Sequence, residues 1–386
     1  MSKKVSKTIS TLSLGAASLL MASAAQAVNF KVAETDVDIY GYAKLDIIYD
    51  VDADLGNTIL RNRIRLDDQP GVDGHTTMHA FQSRLGFTTT TSLGGDVLKT
   101  NIEGDFYGAG GFGDGGGEFR LRHAYGVWKG VLAGQTWSNF GNVVSFVPMV
   151  DFNGPLAHGG GRQAQLRYTT GNLSFSLEDP QTGGTVDADG TNQYRLPDMT
   201  ARYQNVSGPV HFTAAGVVRF LEYDAEGATG KNPAWTDDSA MGWGVTLEAR
   251  TKLTDAITLR GSVTHGDGIG GYLYINPAAA PGYVDSVGNL ETIKSTGGGV
   301  SVSVAAGPGD FNLGYGLATA DLDDAYANGD ILGTANESYT STFFNYIWSP
   351  VDQITYGLEA GYHTREQAND DEGDAIRLQA MLMFGF

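Results

Sequence analysis

Arg120 and Arg122 stand two residues apart in the run Phe119-Arg120-Leu121-Arg122-His123-Ala124-Tyr125-Gly126-Val127-Trp128, and Arg162 and Arg167 flank a second run, Gln163-Ala164-Gln165-Leu166. With Arg84 and Lys44, these are the residues whose type and spacing could do chemistry. A guanidinium offers a fixed fork of donors that meets a carboxylate in two places, and it stays charged at any pH a cell encounters. The chemistry on offer is recognition of anions. For bond making, which needs a nucleophile, base and orienter to converge, the chain has no Gly-x-Ser-x-Gly and no His-Glu-x-x-His.

The arginines need elements to aim them. In the first run Phe119, Leu121, His123, Tyr125 and Val127 share one face, and Arg120, Arg122, Ala124 and Gly126 share the other, which is the period of a strand. In the second run Gln163, Gln165 and Arg167 share a face. An arginine turned toward lipid near the bilayer midplane costs about 2–4 kcal/mol, so in a membrane barrel these faces must point into the lumen. Between the runs lies Ser138 to Gly161, too long for a hairpin, with Val143, Val144, Phe146, Val147, Met149 and Phe152 set among polar residues. This segment is expected to fold into the pore, bringing Phe146, Asp151, Phe152 and Asn153 to its narrowest section. Asp151 is its only acid, so a constriction lined by Arg84, Arg120, Arg122, Arg162, Arg167 and Lys44 is expected to be basic. The competing reading is that the arginines brace the wall against Asp46, Glu103, Asp105 and Glu248. Arg202, Arg219, Arg250, Arg260 and Arg377 occupy similar faces later in the chain.

Composition limits the alternatives. Lys3, Lys4 and Lys7, an apolar centre from Leu12 to Ala22, and Ala25-Gln26-Ala27 follow the order of a secretory signal, so residues 1–27 are expected to be removed and the mature chain to begin at Val28. Losing those three lysines takes the net charge from -19 to -22, which argues against nucleic acid as a partner, since its binders present basic patches to phosphate. The chain has no cysteine, so an exported protein of this kind has no disulfides and must draw stability from a large hydrogen-bonded framework. After the signal no stretch approaches the ~18–20 consecutive apolar residues of a spanning helix. With 54 glycines and 35 Tyr and Phe together, many short strands joined by turns remain.

Alternating segments recur from Val37–Tyr49 to Asp374–Phe386, and sixteen can be counted. Long polar connections such as Asp50–Met78, Gly108–Glu118, Asp267–Thr296 and Asp321–Glu337 alternate with tight ones such as Lys129–Gly130, Thr170–Gly171, Thr254–Asp255 and Gly307–Pro308. That asymmetry marks an outer-membrane barrel, with short periplasmic turns and long external loops. The expected fold is therefore all-β, a transmembrane antiparallel barrel over residues 37–386, preceded by a short periplasmic segment, 28–36. The last strand sets Ile376, Leu378, Ala380, Leu382, Phe384 and Phe386 on its lipid face, and the terminal Phe386 is similar to the signal that such barrels present to the barrel assembly machinery. Trp128, Trp137 and Trp348 stand at strand ends, as an interfacial aromatic girdle would. A soluble sandwich would not need all these features together.

Other motifs carry less. Gly110-Gly111-Phe112-Gly113-Asp114-Gly115-Gly116-Gly117 lacks the Lys-Ser/Thr of a phosphate loop and the repetition of a calcium nonapeptide, and reads as a mobile external loop. The acidic groups Asp321, Asp323, Asp324 and Asp370, Asp371, Glu372, Asp374 could hold a divalent ion bridging lipopolysaccharide, but a solvated loop is the commoner explanation. No metal and no cofactor are expected. A sugar channel would need a ladder of aromatics along the pore, and Tyr40 and Tyr42 are few for that. A barrel enzyme, such as an outer-membrane phospholipase or protease, is the remaining alternative.

Several segments resemble the DcaP-like outer-membrane porins: Tyr40-Gly41-Tyr42-Ala43-Lys44-Leu45-Asp46, Gln82-Ser83-Arg84-Leu85-Gly86-Phe87, Leu121-Arg122-His123-Ala124-Tyr125-Gly126, Leu132-Ala133-Gly134-Gln135-Thr136-Trp137-Ser138, Asp151-Phe152-Asn153-Gly154-Pro155 and Arg162-Gln163-Ala164-Gln165-Leu166-Arg167-Tyr168. The likeness is strong from Val37 to Glu178 and fades afterwards to barrel character alone. It implies a homotrimeric sixteen-stranded porin that takes up small dicarboxylic acids. Some relatives carry a helical coiled-coil segment ahead of the barrel. Here Val28 to Asp36 stand in that place, so a trimer is expected to rest on barrel-to-barrel contacts.

Overall fold

The computed structural model describes residues 28–386 apart from 68, 72, 142, 155, 185, 187–190 and 227–235. The expected signal segment lies outside the described residues. The elements in order are β1 (Val28–Val32), β2 (Thr35–Asp50), β3 (His75–His79), β4 (Arg84–Leu93), β5 (Asp96–Gly108), β6 (Glu118–Trp128), β7 (Val131–Trp137), β8 (Arg162–Thr170), β9 (Leu173–Glu178), β10 (Thr191–Gln193), β11 (Asp198–Ser207), β12 (Val210–Asp224), β13 (Asp238–Lys252), β14 (Ile257–Asp267), β15 (Gly282–Val284), β16 (Leu290–Thr292), β17 (Lys294–Ala306), β18 (Gly309–Ala320), β19 (Asn336–Val351), β20 (Ile354–Gln367) and β21 (Glu372–Gly385). A short helix, α1 (Asp323–Ala327), sits in one of the long loops.

β3 and β4 together make one spanning strand, because both pair along β2, from His75 opposite Asp50 to Thr91 opposite Thr35. Taken so, sixteen spanning strands form a closed antiparallel barrel in which β21 returns to β2, from Tyr42 opposite Gly385 to Asp50 opposite Arg377. The alternation in the sequence explains the wall. On β2, Lys44, Asp46 and Asp50 are turned inward and are 3%, 0% and 1% exposed, while Tyr49 faces out. Leu85, Leu166, Leu247, Leu358 and Leu378 are likewise exposed on the outer surface, as a lipid-facing band requires. Gly41 is needed at the closing seam: a Cβ there would stand 2.3 Å from the Arg84 carbonyl oxygen and 2.7 Å from the Phe386 ring.

The described residues of 138–161 fold into the barrel as expected and are tied to walls on several sides. Asn139 N donates to Glu178 of β9 at 2.7 Å, Ser145 Oγ to Glu248 of β13 at 3.1 Å, and Val150 N and Asp151 N to Glu359 of β20 at 2.9 and 3.0 Å. Lys44 Nζ of β2 donates to the Val150 carbonyl at 2.8 Å.

Three expectations change, and the amino-terminal segment gains an element. The segment 28–36 is partly a strand: β1 pairs with β2 from Val28 opposite Ile39 to Val32 opposite Thr35. Residues 53–66 do not stand outside the barrel. Leu55, Ile59 and Ile64 pack with Val147, Met149 and Phe343, and burying each such side chain is worth about 1.5–3 kcal/mol, enough to draw a polar loop inward. The loop after β14 also enters, placing Ile269, Tyr272 and Leu273 against Phe140, Leu156 and Ala157. Lastly, the glycine-rich loop is docked, because Asn57 N and Thr58 N donate to the carbonyls of Gly113 and Phe112 at 3.1 and 3.3 Å, and Arg63 grips Asp114 with two hydrogen bonds of 2.8 and 2.9 Å.

Candidate functional site in the barrel lumen

A bulge in β6 organises the arginines. Glu103 of β5 faces His123 and the next residue, Gly104, faces Leu121, so Arg122 is the extra residue between them. A strict period of two would have put His123 and Tyr125 on the face opposite Arg120 and Arg122. The bulge resets the parity, and Arg120, Arg122, His123 and Tyr125 all turn inward. Phe119 and Leu121 stay on the outer surface.

Two carboxylates on β5 receive three guanidiniums. Asp105 accepts from Arg120 Nε at 3.0 Å and Nη2 at 2.7 Å, and from Arg122 Nη1 at 3.1 Å. Glu103 accepts from Arg122 Nε at 2.7 Å and from the Tyr40 hydroxyl at 3.0 Å. Arg84 Nε lies 3.4 Å from Glu103 but out of line for a hydrogen bond, and its Nε and Nη2 are buried without partners. The bracing reading of these arginines is therefore met in part, yet positive charge is left over. Arg162 adds to it. Its guanidinium lies over the Trp137 ring at 4.7 Å, it sits in the field of Arg122, Arg120 and Arg84, and among the described residues no carboxylate comes within 4.0 Å of it.

The inserted loop supplies the facing surface. Phe152 lies beneath Arg120 and Arg122, 5.4 and 5.6 Å from ring centroid to guanidinium, and Phe112 lies 4.6 Å from Arg120. Phe146 packs edge-on against Trp137 at 5.9 Å and on His158 at 4.2 Å. Trp137 thus faces the lumen and is no part of an outer girdle. Asp151 is fully engaged: it accepts from Arg377 Nη1 at 3.1 Å, from Thr58 Oγ1 at 2.7 Å and from Asn153 N at 2.7 Å. Asn153 in turn donates to the Ile59 carbonyl at 3.1 Å and accepts from Tyr274 at 2.7 Å.

Two of the expected cations stand apart from this group. Lys44 is buried between Asp46 at 2.8 Å, the Gln82 side-chain oxygen and the Val150 carbonyl, so its ammonium holds the loop and presents no free donor to the lumen. Arg167 donates to Gln165 Oε1 at 2.8 Å and to the Trp137 carbonyl, and its cationic neighbour is Arg202. Of the later arginines, Arg219 and Arg377 are wall struts, paired with Asp198 at 3.0 Å and Asp50 at 2.7 Å. Tyr40 entered the sequence reading only as a pore aromatic, and Tyr274, Glu178 and Glu359 were missed because nothing local marks them. Among the described residues, no group of three or more His, Asp or Glu side chains could hold a metal ion.

A family model of the DcaP outer membrane protein matches residues 20–295. The chain belongs to the DcaP outer membrane protein family. The solved outer membrane channel DcaP of Acinetobacter baumannii is 25% identical, covers 92% of this chain and 99% of its own, and superposes with a TM-score of 0.79. Two more distant structures share the fold alone. The anion-selective porin from Comamonas acidovorans is 14% identical, covers 92% of this chain and 100% of its own, with a TM-score of 0.57. OmpT of Vibrio cholerae, solved in its trimer form, is 12% identical, covers 91% of this chain and 99% of its own, with a TM-score of 0.53. No curated protein matches the chain. As a DcaP family member with a closed sixteen-stranded barrel, the protein is an outer-membrane channel of the porin type.

Proposed function

We propose that the barrel is a passive diffusion channel for small anionic solutes, dicarboxylic acids above all, selected at the constriction by Arg84, Arg120, Arg122 and Arg162. One observation carries this reading: Arg84, Arg120 and Arg122 crowd two carboxylates, Glu103 and Asp105, and Arg162 lies beside them with no carboxylate of its own, while the loop's only acid is held by Arg377 and Thr58. The contrary charge of the whole chain does not decide the sign. External charges farther than a Debye length of about 8 Å are screened at physiological salt, whereas those lining a narrow section are not. Arg120 and Arg162 are the accessible members of the group, half-buried where Arg84 and Arg122 are buried; Arg162 offers a whole fork and Arg120 the edge that Asp105 leaves open, which suits a solute with two carboxylates. A homotrimer, insertion through recognition of Phe386 by the barrel assembly machinery, and contact with lipid and lipopolysaccharide complete the reading.

A sugar-type channel is the second reading, favoured by the lumenal rings of Phe112, Phe152 and Trp137. One face of each already carries a guanidinium, which leaves a poor platform for stacking a neutral sugar. The test is the reversal potential of single purified channels across a KCl gradient, with Arg120→Ala/Arg162→Ala beside the wild type. The double variant should shift toward cations and lose block by succinate more than block by a disaccharide. Unchanged anion preference and succinate block would remove these arginines from the selecting role.

A further inference from the structure

Three arginines outside the constriction share the lumen face near the short-turn end. Arg250 of β13 stands directly opposite Arg260 of β14, and His211 of β12 stands directly opposite Arg250 on the other side. Arg202 of β11 lies on the same wall. Like charges placed directly across a strand pair are destabilising, so this arrangement needs a counter-charge. The wall does not bring one into contact. Among the described residues no carboxylate lies within 4.0 Å of any of the three. Their partners are neutral: Arg202 donates to the Gly141 carbonyl at 3.1 Å, Arg250 meets His211 Nδ1 at 3.3 Å, and Arg260 donates to Ser303 Oγ at 2.6 Å. Nε of Arg202 and Nε of Arg260 are buried without a partner. The acids whose field reaches Arg202 are Glu248 and Glu178, both of which accept hydrogen bonds from the inserted loop, and the one that reaches Arg260 is Asp310.

Their place along the channel is defined by the loop itself. Glu248, which takes the Ser145 hydroxyl, precedes Arg250 by one inward-facing position on β13, and Arg202 touches the loop at Gly141. The three arginines therefore begin where the inserted loop ends, on the side of the short turns, which faces the periplasm in barrels of this kind. We propose that Arg202, Arg250 and Arg260 form a second anion site in series with the constriction, taking small carboxylates as they leave it. Conduction requires sites that bind well enough to admit a solute and weakly enough to pass it on, and unbraced guanidiniums beyond a narrow section meet that need. The inference rests on the reading of the lumen as an anion path.

The test uses full-length protein in planar bilayers with succinate as the probe, added to one side at a time. In Arg202→Gln/Arg250→Gln/Arg260→Gln, block by succinate from the short-turn side should weaken about threefold or more in ~0.1 M salt, where the Debye length is about 10 Å, and block from the loop side should persist. Wild-type block from both sides, in protein that still shows a heat-dependent gel shift, overturns the second site. The chain has no cysteine, so Arg260→Cys introduces a single thiol as an independent check. A cationic methanethiosulfonate should restore conductance at low salt, an anionic one should lower it further, and equal effects of the two reagents overturn the proposal. A wild type without anion preference would defeat the constriction reading, while one-sided succinate block still reports on this site separately.

Discussion

Arg377 on the last strand holds Asp151 in the middle of the inserted loop at 3.1 Å with one nitrogen while gripping Asp50 at 2.7 and 2.8 Å with two others. The same guanidinium also donates to the Gly56 carbonyl at 2.7 Å. A single buried side chain thus joins the closing seam of the barrel, the first inward loop and the constriction loop. Removing one partner of a buried pair leaves uncompensated charge and costs about 3–5 kcal/mol. Arg377→Leu should lower the temperature at which the protein loses its folded mobility on unboiled gels, and should add open-channel noise. A variant with wild-type heat resistance and quiet openings would show that loop and seam are held by the apolar packing alone.

Glu359 is expected to resist substitution by its nearest isostere. Its two oxygens both receive donors: Asp151 N goes to one at 3.0 Å, and Val150 N and Asn345 Nδ2 go to the other at 2.9 and 2.8 Å. In Glu359→Gln, either orientation of the amide points its NH2 group at a donor, leaving a buried clash of about 1–3 kcal/mol. Rapid current flicker at unchanged ion selectivity is the expected readout, since the loop loosens while the arginines stay in place.

The seam makes a sharper prediction for yield than for function. Gly41→Val would drive side-chain atoms into the Arg84 carbonyl oxygen and the Phe386 ring, and deleting Phe386 removes the pair of backbone hydrogen bonds it exchanges with Gly41 at 3.1 and 3.2 Å. Both variants should reduce the amount of folded protein in the outer-membrane fraction and raise unfolded chain in the periplasm. Normal recovery of either would mean that closure does not depend on this contact.

At the loop end, hydrogen bonds from Arg63 hold the Asp114 carboxyl below its usual range. A carboxylate with a depressed folded-state pKa contributes stability that is present above the ordinary value of about 3.9 and is lost as pH falls through the lowered one. The clasp between residues 51–74 and the glycine-rich loop should therefore be intact from neutral pH down to about 4 and open only in stronger acid. Asp114→Asn should make the glycine-rich loop more susceptible to protease at neutral pH. Cleavage rates identical to wild type across this range would show that Arg63 and Asp114 do not restrain the loop.

The wall of the barrel could be read from the chain because a lipid-facing strand is constrained locally. Lys44, Asp46 and Asp50 must turn in if Leu45, Ile47 and Tyr49 turn out, and no distant residue alters that. The alternation of short turns and long loops is local for the same reason. The bulge at Arg122 was not legible, since inserting one residue into β6 leaves each half of the strand alternating normally and shows only in the pairing with Glu103 and Gly104. Nor was the inward path of residues 53–66. Leu55, Ile59 and Ile64 look like scattered apolar residues in a polar loop until Val147, Met149 and Phe343 arrive from far along the chain. For the candidate site, the grouping was not legible. Arg120, Arg122, Arg84 and Arg162 meet, Lys44 serves the loop, and Arg167 sits beside Arg202, because partners from other strands decide which cation is left unpaired.

β21 leaves part of β2 bare, and β1 covers it, with Phe386 exchanging bonds at Gly41 and Val28 lying opposite Ile39. The two strands lie head to tail along one rail of donors and acceptors. A residue appended after Phe386 would fall beside Tyr40, and a second would meet the place already held by Val28. A carboxyl-terminal affinity tag therefore competes with the amino-terminal strand for the same edge. A tag placed in the long loop beside α1 touches no such rail and is the position from which this barrel can be handled without unseating one of its own strands.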